Sequence, residues 1–318
     1  MQALICHCRA QRILSHLLSS SSAAAPRRYL TAPSPATVIS AEIPAPMASM
    51  NATAPAKIYQ NVIVMRHGDR LDNFVPDVDA WVRETARPWD PPLNEKGCHR
   101  SHATGVELRT QLGFTMDRVV VSPFMRCVET ASEVVSALLS SEERVSSARR
   151  VVAPIGPPAI KVCVDYGLCE MFNGVAIRHP PKDPTKEGEW GFELSQIKLK
   201  FPEGTVDPQY EPVADKLPKW GETRGDARAR YERVLGAIAD KYPCENLLVI
   251  THGEGLKATV STILNDTRIR EVKYCAFVKL GREIITLNGD SSLSAKEFGD
   301  VSHHGYLLEA DDARVCGS

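Results

Sequence analysis

Val62 to Arg70 read VIVMRHGDR. Four apolar residues in a row are the pattern of a short buried strand. Directly after them come two arginines bracketing a histidine. Like charges that close repel each other, and each loses hydration if covered. An anion bound at this strand end would relieve both costs.

Two further strand ends carry the same punctuation. VVVS is followed by Pro123-Phe124-Met125-Arg126, and LLVIT by His252-Gly253. In open α/β sheets the carboxyl ends of the strands line the ligand crevice. Three distant segments would thus deliver two histidines and two or three arginines to one edge. Ser122 and Pro123 read as a helix start, with Ser as N-cap and Pro at the first helical position. Arg126 then falls in the first turn, where the positive helix end also favours an anion. Arginine forks match phosphate oxygens bidentately, so the expected ligand is a phosphate-like dianion.

The rest of the chain supplies a frame for this edge. Strands are expected at Asn61–Met65, Arg118–Val121, Ile160–Val164 and Leu247–Ile250. Helices are expected over Asn94–Leu112, Pro123–Leu139, Thr223–Lys241 and Gly255–Leu264, the first weakened by Gly97 and Gly105. Cys275–Leu280 and Glu283–Leu287 read as a hairpin turning at Gly281-Arg282. Ser140–Arg150 reads as a solvated surface loop. The alternation predicts an α/β fold, a three-layer α/β/α sandwich around a largely parallel central sheet. Met171 to Glu222 is an irregular, Pro-rich excursion holding Trp190, Tyr210 and Trp220. Its aromatic content predicts an ordered cap insertion. The predicted organisation is an N-terminal segment over 1–56, one domain over 57–300 with the cap at 171–222, and a C-terminal tail over 301–318.

Composition bounds the function. The 318 residues are 43% hydrophobic and 24% charged, with a formal net charge of −1. No global field points to nucleic acid or a membrane, so any anion site must be a local cluster. No apolar run reaches the ~18 residues that crossing a bilayer requires. The nine cysteines form no CxxC pair, so they suggest neither a zinc site nor a disulfide framework. The first fifty residues hold Arg9, Arg12, Arg27 and Arg28, abundant Ser, Ala and Pro, and a single acid, Glu42. Two readings stand: a transit peptide for mitochondrion or chloroplast, with processing near RRYLTA (Arg27–Ala32), or a disordered tail without an address. A start at Met47 or Met50 would give a cytoplasmic form.

Four motifs in order carry a resemblance: RHGDR, DPPLNEKG (Asp90–Gly97), SPFMRCVETA (Ser122–Ala131) and THGEG. Together they resemble the histidine phosphatase superfamily, in its phosphoglycerate-mutase-like branch, from about Ile58 to Leu287. RHGDR, DYGLCE (Asp165–Glu170) and FPEGTVDPQYEP (Phe201–Pro212) are most similar to the RHGER-type members. That group includes the suppressor-of-T-cell-receptor-signalling and ecdysteroid-phosphate phosphatases. The mutases usually carry RHGES or RHGQT. The acid-phosphatase branch has an Asp directly after its second His, where this chain has Gly253.

The resemblance implies hydrolysis of a phosphomonoester, on a small molecule or a phosphoprotein, through a phosphohistidine. His67 would be the nucleophile, and Arg66, Arg126 and His252 would hold the phosphoryl oxygens. Glu170 would be the general acid and then the base, with Glu254 as the alternative acid. Arg70 would add a phosphate contact, or stand as a solvated loop charge. No cofactor and no metal are expected. Two other functions share the pattern: a phosphoglycerate mutase, and an inactive interaction module on the same fold. His99 and His102 read as surface or packing residues, His179 as a turn residue of the cap, and Glu129 and Glu133 as solvated or capping groups. His303 and His304 lack metal-ligand spacing with any acidic cluster.

Overall fold

The computed structural model describes residues 57–140, 160–263, 269–286 and 293–308. The N-terminal segment over 1–56, most of the Ser140–Arg150 loop and residues 309–318 lie outside the described residues. The elements run in order as β1 (Lys57–Arg66), α1 (Val78–Glu84), α2 (Glu95–Gln111), β2 (Arg118–Val121), α3 (Met125–Leu139) and β3 (Lys161–Val164). Then come α4 (Leu194–Lys198), α5 (Arg224–Lys241), β4 (Leu247–Thr251), α6 (Gly253–Ile263), β5 (Ile269–Thr286), β6 (Leu293–Ala295) and β7 (Asp300–Leu308).

The strands form one sheet in the order β3-β2-β4-β1-β5-β6, with β7 also on β5. The first four run parallel, and β5 turns antiparallel against β1. Alternation along each parallel strand feeds two layers. Ile63, Met65, Val119, Val121, Leu248 and Ile250 pack toward Leu108 of α2 and Val128, Val134 and Val135 of α3. Val62, Val64, Val120, Leu247 and Val249 pack toward Val234 and Ile238 of α5 and Leu256 and Val260 of α6. Both faces are covered, so these strands are apolar throughout. Each fully buried side chain of this kind contributes roughly 1.5–3 kcal/mol. The result is a three-layer α/β/α arrangement. Among the described residues no helix is long and apolar enough to cross a membrane.

Parallel register sets the functional edge. Arg66 pairs with Thr251, and Val121 with both Ile250 and Val164. The residues following β1, β2, β3 and β4 therefore emerge side by side. Helix α2 closes down on this edge through Gly97, where a Cβ would meet the Asp69 carbonyl oxygen at 2.4 Å.

Three expectations need correction. The hairpin at Gly281-Arg282 is instead the interior of the continuous strand β5. Gly281 leaves room for the Tyr59 ring, which a Cβ there would displace. Arg282 is buried against Gln60, with an ion pair to Asp240. The tail boundary at residue 301 cuts a strand: 301–308 belong to β7, which pairs with β5. Ser122 is not the N-cap of α3; Phe124 takes that position without a side-chain cap.

The segment over 171–222 carries only short helical pieces, α4 and a 3-10 turn at Glu187–Trp190. Its order comes from apolar packing. Trp190 is fully buried, 4.2 Å from the Phe172 ring centroid and 5.6 Å from that of Trp220. Phe124, the residue before α3, joins the same cluster. The excursion is thereby seated on the functional edge.

Candidate active site

His67 leaves β1 with its backbone N–H on the Thr251 carbonyl at 3.0 Å. Its ring is buried, and its Nδ1 lies 2.8 Å from the Gly68 carbonyl oxygen. A carbonyl oxygen only accepts, so Nδ1 carries the hydrogen, and in the neutral ring Nε2 keeps a lone pair. The His252 ring sits 5.4 Å away, edge-on. Its Nε2 contacts Ser122 Oγ at 2.9 Å. Its Nδ1 faces both Arg126 Nη2 at 3.2 Å and Glu170 Oε2 at 3.3 Å. A proton on that nitrogen would be held by the carboxylate, whereas an empty nitrogen accepts from the guanidinium.

Arg126, in the first turn of α3, is 1% exposed. One nitrogen faces His252 and Glu170, while Nε and Nη1 are buried without a hydrogen-bond partner. Unmade bonds on a buried guanidinium cost several kcal/mol unless an anion completes them. Arg66 donates through Nη1 to the Val272 carbonyl and lies 4.2 Å over the Tyr274 ring. Its Nε is also buried and unpartnered. The predicted residues His67, His252, Arg126 and Glu170 thus converge, with Arg66 beside them. Arg70 Nε and Nη2 form a two-point pair with Asp72 at 2.9 and 2.5 Å, and its charge bears on the nearby Arg126. It lines a cavity of about 230 Å³ that has Arg126 in its wall, together with His179.

The charges follow from this packing. Burial first, then Arg126, His252 and Arg66, hold His67 well below the usual imidazole value of 6.5. Burial likewise lowers His252, to about 4, although Glu170 opposes it. Burial favours the neutral form of Glu170, but His252 and Arg126 outweigh it and bring its carboxyl down to about 2. These shifts leave His67 neutral and Glu170 ionised at neutral pH. Cys127 lies 3.6 Å from His252 Nε2, but burial pushes its thiol up and leaves it uncharged. One ligand atom each from His67, Glu170 and His252 falls within 4.8 Å of the others, a spacing that could hold a metal ion. The neighbouring guanidinium groups favour an anion there instead.

The His67 ring should accordingly titrate with a midpoint well below 6.5, measured by NMR of the imidazole C–H protons. Because the unfolded imidazole titrates near 6.5, the protein should lose stability as pH falls from that value towards the lowered folded values. An unshifted midpoint would contradict the arrangement.

The sequence assigns no role to Asp90 or Arg230 and reads Ser122 only as a helix cap. Asp90 Oδ1 accepts from the Met125 backbone N–H at 2.7 Å and lies 4.0 Å from Arg126 Nη1. It caps α3 from a distant loop and braces the arginine. Ser122, freed from capping, orients His252. Arg230 of α5 donates to the backbone carbonyls of Gly167, Cys169 and Glu170 while paired with Glu222. It thereby fixes the turn that presents Glu170. Elsewhere, Glu129 accepts from the Leu93 N–H, and Glu254 pairs at the surface with Lys257 and Arg224. His99 and His102 are exposed.

Comparison with known proteins agrees with the motif resemblance. The model of the histidine phosphatase superfamily (branch 1) matches residues 186–291. That span includes His252 and lies downstream of His67, Arg126 and Glu170. No curated protein matches the chain. Among solved structures, the ecdysone phosphate phosphatase of Bombix mori in complex with tungstate is 22% identical, with a TM-score of 0.48. The alignment covers 70% of this chain and 88% of that one. Phosphoglycerate mutase from Bacillus anthracis is 17% identical over 71% of this chain and 88% of that one, with a TM-score of 0.41. The protein histidine phosphatase SixA with tungstate is 17% identical over 75% and 96%, with a TM-score of 0.35.

Proposed function

We propose that the protein is a histidine phosphatase that hydrolyses phosphomonoesters through a phosphohistidine on His67. The observation that carries this reading is the neutral His67 ring, its Nδ1 tied to Gly68 and its free nitrogen set among buried cations. The lone pair of Nε2 attacks phosphorus, the bond to the leaving oxygen breaks, and its electron pair departs with that oxygen. Arg126, Arg66 and His252 hold the phosphoryl oxygens and stabilise their charge as the bond breaks. Arg126 contributes its two unpartnered nitrogens to this.

Glu170 protonates the leaving oxygen. At neutral pH its carboxylate is ionised and faces Arg126 and His252. A bound phosphoryl group engages the Arg126 guanidinium and brings negative charge beside the carboxylate, which raises its pKa. Phosphate esters titrate near pH ~6, so the substrate can bring the proton with it. In the second step Glu170 takes a proton from water, the resulting hydroxide attacks phosphorus, and the N–P bond breaks to release phosphate.

Glu170→Gln should separate substrates by leaving group. Hydrolysis of an alkyl phosphate should fall by roughly 10²–10⁴-fold. An aryl phosphate with an acidic phenol leaves as the anion and should lose much less in the first step. Equal losses on both would argue against the proton-donor role. Assay with 3-phosphoglycerate and a bisphosphate primer tests the mutase alternative, since robust 2-phosphoglycerate formation would replace hydrolysis as the assigned reaction.

A further inference from the structure

The cavity beside the site carries a charge that phosphoryl transfer does not use. Arg126 forms part of its wall, so a phosphate on His67 would direct its leaving group into this space. Arg70, Asp72, Trp89, Ile177 and Arg178 also line it. Asp72 is the only carboxylate among the lining residues, and it is committed to Arg70. Arg70 is held in that pair, and Arg126 serves the phosphoryl group. Arg178 remains: it is exposed at the rim, and no carboxylate lies within ion-pairing distance of it among the described residues.

The lip bearing Arg178 is fixed. Ile177, the preceding residue, is buried in the Trp190 cluster, and its N–H donates to the Asn173 carbonyl at 2.9 Å. Asn173 Oδ1 accepts from the N–H groups of Val175 and Ala176. Its Nδ2 donates to the Glu222 carbonyl. A guanidinium on an anchored backbone, lining the same cavity as Arg126, is suited to a second anion. At about 230 Å³ the space is below the usual range for drug-sized ligands, about 300–1,000 Å³.

Resting on the phosphatase reading, we propose that the preferred substrate is a small phosphomonoester whose leaving group bears a second anionic group, a carboxylate or another phosphate, paired with Arg178.

The test uses the full-length protein and matched pairs of short alkyl phosphates. One series ends in a carboxylate or its neutral carboxamide; a second ends in a phosphate or a free hydroxyl. At the chain length that spans the cavity, kcat/KM should favour the anionic member by about tenfold or more, as for a charge-assisted hydrogen bond. The series with the larger ratio identifies the anion. Arg178→Gln should bring that ratio to near one, and Arg178→Lys should keep part of it. Each ratio is taken within one variant, so general losses of folding or rate cancel.

A ratio near one in the wild type at every length would overturn the proposal, as would a preference that survives Arg178→Gln. An aryl phosphate without a second charge separates the two levels. If it is hydrolysed while no anionic preference appears, only this inference fails. If neither it nor any member of the series is hydrolysed, the phosphatase reading fails and takes this one with it.

Discussion

Replacing His67 with alanine is expected to lower kcat for an aryl phosphate by ~10⁴-fold or more, because removing a covalent nucleophile leaves only binding and charge stabilisation. The side chain is buried and makes one side-chain hydrogen bond, to its own neighbour Gly68. Backbone contacts hold the segment: His67 N–H to Thr251, Cys275 N–H to the His67 carbonyl, and Gly68 N–H to Thr130 Oγ1 at 2.9 Å. The alanine variant should therefore fold, with a circular dichroism spectrum like that of the wild type. Steady-state hydrolysis by both proteins from matched preparations checks the prediction. A folded variant that loses less than ~10-fold would remove His67 from the nucleophile's role.

Arg126→Ala should lower kcat/KM by about 10³-fold, in line with losing a buried donor set aimed at developing charge. The change acts on three neighbours at once. The phosphoryl group loses the two unpartnered nitrogens, His252 loses a donor on Nδ1, and Glu170 loses a counter-charge. Asp90 keeps its pairing with Arg87 at 2.6 Å and with the Met125 N–H, so the N-terminus of α3 stays capped. Lysine should recover only a small part of the activity, because a point charge lacks the planar fork. Full recovery by lysine, measured as kcat/KM with inhibition by inorganic phosphate alongside, would mean that charge alone suffices.

The three central strands were legible because a strand buried on both faces needs a continuous apolar run, and few other elements of that length do. Their ends were legible because Arg-His-Gly, Pro-Phe-Met-Arg and His-Gly bring guanidinium and imidazole groups to places where a fold without a ligand has no use for them. Contacts settled between chain-distant groups were not legible. Ser122 carries a good local capping signal, yet His252, which is 130 residues away, engages its hydroxyl and the helix starts later. Asp90 sits before two prolines and reads locally as a turn residue; only the fold brings it under α3. Gly281-Arg282 has turn chemistry, but the Tyr59 ring and Gln60 on β1 explain both residues within a straight strand. The last strand has little periodic signal, and its pairing with β5 spans a register shift.

The central claim is a covalent phosphoryl group on a single imidazole nitrogen. Mixing the protein with a ³²P-labelled phosphomonoester, quenching into alkali within the first turnovers and mapping the peptides tests it most directly. The account predicts alkali-stable, acid-labile label on the peptide containing His67, absent from His67→Ala and accumulating in Glu170→Gln with an aryl phosphate. Turnover of that substrate with no label on this peptide at any quench time, or label on another residue, would contradict it.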